Sequence, residues 1–85
     1  MNMDFSEQAI ADISWWNKTD PKKVDKIERL LDDIVAHPFE GTGKPEALKY
    51  DLQGYWSRRI DRENRFVYKM GEDVIFIASC RYHYK

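Results

Sequence analysis

The 85 residues contain a single cysteine, Cys80, so no intrachain disulfide can form and no zinc cage of several thiolates can be built. The chain fits a reducing compartment. No run approaches the ~20 apolar residues that a membrane span requires, and Met1-Asn2-Met3-Asp4-Phe5 has neither a basic n-region nor an apolar h-region. A cytoplasmic location with no membrane attachment is the expectation. Only two histidines are present, His37 and His83, and no second one stands at ligand spacing from either, so no metal site and no cofactor is expected. There is no internal repeat and no low-complexity segment, and a chain of this length can bury only one modest core. Residues 1–85 are therefore expected to form one domain.

What is present is informative in its distribution. Residues 1–42 carry five Lys/Arg against nine Asp/Glu, a net −4, whereas residues 43–85 carry nine against six, a net +3. The near-neutral total of −1 hides a basic C-terminal half, which points weakly to a phosphate-bearing partner. Aromatic residues make up 14% of the chain, enough to serve as core mass or as stacking platforms for bases.

Ser6 is a good helix N-cap, and Ala9, Ile10, Ile13 and Trp16 follow at helical spacing as far as Lys18. Thr19-Asp20-Pro21 breaks the chain and restarts it, with Asp20 as N-cap and Pro21 in the first turn. Val24, Ile27, Leu31 and Ile34 make the apolar stripe of a second helix, widened by Leu30 and Val35. It should end near Ala36, because Pro38 disfavours helical geometry at His37. Two helices joined so tightly predict an antiparallel hairpin.

Two glycines and a proline make Phe39 to Pro45 a loop. The period then changes to that of strands: 55–60 and 65–70 alternate, 74–82 is rich in β-branched and aromatic residues, and turns fall at 61–64 and 71–73. Leu48 to Leu52 could add a short strand, and Met1 to Phe5 could pair at an edge. The predicted fold class is α+β, with the helical hairpin on one face of a twisted antiparallel β-sheet and the other face left for function.

The candidate chemical groups are ambiguous when taken singly. His83, in Tyr82-His83-Tyr84, is more simply a fraying aromatic tail than a catalytic group. His37 has a structural role at a helix end. Arg58 and Arg62 are expected to be solvated surface charge. Gly41-Thr42-Gly43-Lys44 lacks the spacing of a phosphate loop, and neither Ser57 nor Cys80 has a base beside it in sequence, which leaves covalent catalysis unsupported. Alternation along the last strand puts Arg81 and His83 on one side unless the end of the strand bends, and Arg65 begins the strand expected beside it. Glu46 and Lys49 flank the entry to the sheet. One carboxylate, one imidazole and several guanidinium groups together are what metal-free RNA cleavage requires.

Pro38-Phe39-Glu40-Gly41-Thr42-Gly43-Lys44-Pro45-Glu46, then Leu48-Lys49, Gly54-Tyr55-Trp56-Ser57-Arg58-Arg59-Ile60 and Cys80-Arg81-Tyr82-His83-Tyr84, closely resemble YoeB-type toxins of the RelE superfamily. The resemblance covers essentially the whole chain, and several separated motifs occur in order. It implies the RelE-like fold and an endoribonuclease that cleaves mRNA in the ribosomal decoding site and is silenced by a YefM-like antitoxin. By position, it implies Glu46 as general base, His83 as general acid, Arg65 as stabiliser of transition-state charge, and Tyr84 as a substrate-orienting group. Lys49, Arg59 and Arg81 would bind RNA. Ribosome, mRNA and antitoxin are thus the expected partners, with a homodimer as a further expectation. The chain departs from the pattern at Lys85, one residue beyond the Tyr-His-Tyr at which such toxins commonly end. Two other readings stay open: a toxin resembling ParE, which binds a topoisomerase without cutting RNA, and a small nucleic-acid-binding module without catalysis.

Overall fold

The Ser6 hydroxyl accepts the amide of Ala9 at 3.0 Å and opens helix α1, Glu7–Thr19. Pro21 follows Asp20 at the start of α2, Pro21–Ala36, where its fixed φ suits the first turn and its missing N–H leaves nothing unpaired. Asp20 occupies the cap position but makes no side-chain capping bond. In this computed structural model, which describes residues 1–82, the two helices pack as the expected hairpin over one face of a sheet. The expectations for His83, Tyr84 and Lys85 lie outside the described residues.

The sheet has five strands: β1 (Asn2–Phe5), β2 (Glu46–Ala47), β3 (Trp56–Arg59), β4 (Arg65–Gly71) and β5 (Val74–Ser79), in the order β1-β5-β4-β3-β2. Strands β2 to β5 are antiparallel, but β1 runs parallel to β5, so the sheet is mixed where sequence reading expects it antiparallel throughout. The helical hairpin between β1 and the rest of the sheet brings the chain back so that the first and last strands point the same way.

Ala9, Trp16, Ile27, Leu30, Leu31 and Ile34 from the helices meet Phe66, Tyr68, Ile75 and Ile77 from the sheet to form the core. Ile10 and Val35, which belong to the predicted stripes, are exposed, and the buried face of α1 is instead Ala9, Asp12 and Trp16. Asp12 can be buried there because its carboxylate accepts the Cys80 amide and the Gln8 side chain.

Two strand expectations are corrected. Residues 48–52 do not form a strand: pairing stops at Ala47, and Tyr50–Leu52 make one 3₁₀ turn, entered with Tyr50 at φ 57°. The last strand ends at Ser79 and not at Tyr82. A register shift against Val67 and Tyr68 leaves Ala78 as an extra residue, and bulges of this kind end pairing and turn the chain. Tyr82 has φ 66°, so the described chain does not continue as an extended strand through it, and the expected parity of Arg81 with His83 lies outside the described residues.

Candidate active site

Register decides which side chains share the face away from the helices. Phe66 and Tyr68 enter the core, so Arg65, Val67 and Lys69 point the other way. Directly opposed residues in antiparallel strands share a face, and Ser57 pairs with Val67, Arg59 with Arg65, and Glu46 with Ser57. Glu46, Ser57, Arg59 and Arg65 thus share the open face, with the directly opposed pairs Glu46–Ser57 and Arg59–Arg65 roughly 5 Å apart at Cβ. The Arg65 guanidinium donates to the Ser57 hydroxyl at 3.3 Å, and Ser57 is fully buried between its neighbours. Two guanidinium groups placed across from each other repel unless an anion lies with them. Lys49 is exposed just past β2, on the approach to this row.

The segment that leads to His83 is fixed residue by residue. The Cys80 amide donates to Asp12 at 2.9 Å, and its carbonyl accepts the Trp16 indole N–H at 2.7 Å. The Tyr82 amide donates to the Asn64 side chain at 2.7 Å, and the Tyr82 carbonyl accepts the Arg65 amide at 3.0 Å. Tyr82 therefore lies beside the backbone of Arg65, the first residue of β4. Between these anchors the Arg81 guanidinium lies 3.4 Å from the Trp15 ring centroid and 4.4 Å from that of Tyr82, a cation held by two rings. Burial, and to a lesser degree the Asp12 charge, push the Cys80 thiol far up, so it is no nucleophile at neutral pH.

Arg58 is the largest departure from expectation. It is fully buried on the helix side of β3, not solvated. All five of its N–H donors are engaged. Nε donates to the Tyr68 hydroxyl, one terminal nitrogen to Asp33 and the Thr42 carbonyl, and the other to the carbonyls of His37 and Glu40. The Tyr68 hydroxyl in turn donates to the Pro38 carbonyl at 2.7 Å. Burial raises the Tyr68 pKa above its usual value, against the opposing pull of Arg58. Asp33 also accepts the Thr42 amide, and this bond together with Arg58 holds its carboxyl below the ordinary carboxylate value. His37 takes part through its backbone carbonyl, whereas its imidazole lies 3.8 Å from Glu40 and not on the last helical carbonyls. Sequence alternation could have found Arg58, since it stands between Trp56 and Ile60, both of which turn inward. Arg62 is exposed as expected.

The same face carries a groove of about 490 Å³ lined by Asp4, Gln8, Tyr55, Lys69, Phe76 and Ala78. Lys69 stands over the Tyr55 ring at 5.5 Å, and Phe76 is 39% exposed. No helix among the described residues is long and apolar enough to cross a membrane.

Comparison with known proteins gives one consistent result. Residues 5–84 match the family model for YoeB-like toxins of bacterial type II toxin–antitoxin systems. Toxin YoeB of Escherichia coli K12 is 49% identical over 84 residues, covering 99% of this chain and all of that protein. The structure of the YoeB dimer from Staphylococcus aureus superposes with a TM-score of 0.93 at 48% identity, over 99% of this chain and 98% of that one. The heterotetrameric YoeB–YefM toxin–antitoxin complex from the same organism gives 0.91 at 48% identity with the same coverage.

Proposed function

The chain belongs to the YoeB toxin family of type II toxin–antitoxin systems, and we propose that it is a ribosome-dependent endoribonuclease that cleaves mRNA through the RNA's own 2′-hydroxyl. The observation that carries this reading is the opposed pair Arg59 and Arg65 beside Glu46 on the open sheet face. A phosphodiester could be held by both guanidinium groups and lie next to a carboxylate able to take a proton.

In this mechanism Glu46 removes the 2′-hydroxyl proton, and the oxygen attacks the adjacent phosphorus. Arg65 stabilises the charge that builds on the phosphoryl oxygens. His83 protonates the departing 5′-oxygen, a task suited to an imidazole with an ordinary pKa of about 6.5. The products are a 2′,3′-cyclic phosphate and a 5′-hydroxyl. Tyr84 orients the substrate, and Lys49 and Arg59 hold the RNA backbone. Arg81, held by the Trp15 and Tyr82 rings, adds positive charge for RNA binding.

The ribosome supplies positioning that so small a cleft cannot. Orientation of the codon for in-line attack can be worth on the order of 7–11 kcal/mol. Silencing comes from a YefM-like antitoxin whose acidic, partly disordered segment folds onto the basic open face, the groove at Tyr55, Lys69 and Phe76 included. The site of action is the cytoplasm, where translating ribosomes are.

The deciding substrate is a ribosome-bound mRNA with one 2′-deoxy nucleotide on the 5′ side of the scissile phosphate. The mechanism expects no cleavage at that bond. Cutting there, or a requirement for added divalent metal after chelation, would reject it. Growth arrest with intact mRNA would favour a topoisomerase-binding toxin.

A further inference from the structure

We infer that Arg58, with Asp33 as its counter-ion, is a positioning residue for Glu46, acting from the opposite face of the sheet. This rests on the reading of Glu46 as the group that takes the substrate proton. The two residues point to opposite faces and do not touch. What connects them is the loop from His37 to Pro45.

Loops on a protein surface usually leave their carbonyls to water. Here the carbonyls of His37, Pro38, Glu40 and Thr42 all turn inward onto Arg58 and Tyr68, two side chains of the sheet. The carbonyl of the next residue, Gly43, accepts the Arg59 amide at 2.7 Å. Between Pro38 and Gly43 the chain therefore has little freedom to shift along β3. Both glycines are required by this arrangement. Gly41 has φ 112°, and a Cβ there would stand 2.2 Å from the Asp33 carboxylate oxygen; at Gly43, φ 80°, a Cβ would meet Leu30 and Arg58 at 3.0 and 3.1 Å.

Three residues after Gly43 comes Glu46, in a strand of only two residues. A two-residue strand cannot fix its own register, since it has too few ladder bonds to resist a slip. A slip of one residue would turn Glu46 away from Ser57 and out of the active face. The anchor that prevents it is the Arg58 hub immediately upstream. Arg58 follows Ser57, the residue that Glu46 opposes, so the hub and the site are set by adjacent positions of one strand.

The test uses Asp33→Asn, a partly exposed position that keeps side-chain size, together with Arg58→Lys, in the full chain. Amide exchange is read at Arg59, which donates to Gly43, and at Leu48, which donates to Tyr55, with Ser6, which donates to Ile77 at the far edge, as control. Exchange at Arg59 and Leu48 is expected to rise on the order of tenfold while Ser6 is unchanged, because the opening is local. Single-turnover cleavage of ribosome-bound mRNA should fall about 10- to 100-fold with the half-saturating concentration unchanged, the effect of a misplaced group and not of lost binding. In a Glu46→Ala background the same substitution should cause no further loss.

An equal loss in that background, a rise in exchange that includes Ser6, or no change in exchange would each overturn the inference. If Arg58→Lys does not fold, Asp33→Asn alone decides. Full activity of Glu46→Ala by itself would remove both the functional reading and the positioning role. The exchange measurements would then separate that case from one in which only the anchor is wrong.

Discussion

The amide of Cys80 donates to the buried carboxylate of Asp12 across sixty-eight residues of sequence, at 2.9 Å. With the Trp16 indole on the Cys80 carbonyl, helix α1 holds both backbone groups of the residue at which the chain leaves the sheet for His83. Asp12→Ala would leave that N–H buried without an acceptor, which costs about 1–3 kcal/mol. At roughly 4–8 °C per kcal/mol for a domain of this size, the melting temperature should fall accordingly. Cleavage measured well below the transition should fall as well, because the tail loses its fixed start. A melting curve and a rate both unchanged would show that the contact anchors nothing.

Gly41→Ala should be among the most damaging small substitutions in the chain. It adds one methyl group in a backbone region that disfavours side chains and aims it at the Asp33 carboxylate. A cost of about 1–3 kcal/mol is expected from the backbone alone, and it can be read from urea unfolding with an unchanged slope. Gly54→Ala, also at positive φ but with only the Lys69 side chain near, provides the comparison for strain without a clash.

Acid should loosen the Arg58 hub before the core fails. The Thr42 amide and Arg58 lower the Asp33 pKa from its ordinary value of 3.8, so the folded state favours the carboxylate. The stability this contributes is fully present above pH 3.8 and is lost as pH falls through the depressed value. The difference in melting temperature between wild type and Asp33→Asn should therefore be constant near neutrality and shrink below about pH 4. Asp61 behaves in the same direction: burial raises its pKa, but bonds from Asn64, Glu63 and Lys23 outweigh that and lower it. A difference that grows on acidification would contradict the assignment for Asp33.

Cys80 should resist alkylation in the folded protein, because its thiol is buried and held protonated. Modification by iodoacetamide at pH 8 should proceed at a rate that tracks global unfolding and should speed up with urea. Rapid labelling in buffer alone would mean that the tail opens locally.

Much of the fold was legible because its signals are local. Ser6, Pro21 and Pro38 mark helix ends through their own backbone chemistry, and the alternation around Phe66 and Tyr68 marks a half-buried strand. The parallel pairing of β1 with β5 was not legible, since nothing near Asn2 to Phe5 records the direction of a strand seventy residues on. Arg58, despite an alternation with Trp56 and Ile60 that points inward, was read by its charge, and Asp12 was hidden for the same reason. Charge argues for the surface, and only tertiary partners, five acceptors for one and the Cys80 amide for the other, make burial affordable. At the candidate site, Glu46 and Arg65 were singled out only by family resemblance, whereas their meeting around Ser57 depends on register across three strands.

The pairing of β1 with β5 also sets an order of events during synthesis. Residues 2–5 emerge long before residues 74–77, their strand partner among the described residues. Ser6 likewise waits for Ile77, and Asp12 for Cys80. The nascent chain can form its helices early, since they are local, but it cannot close the sheet around them until residues 74–80 have emerged. The toxin fold thereby closes only when two strands seventy-two residues apart in sequence have met.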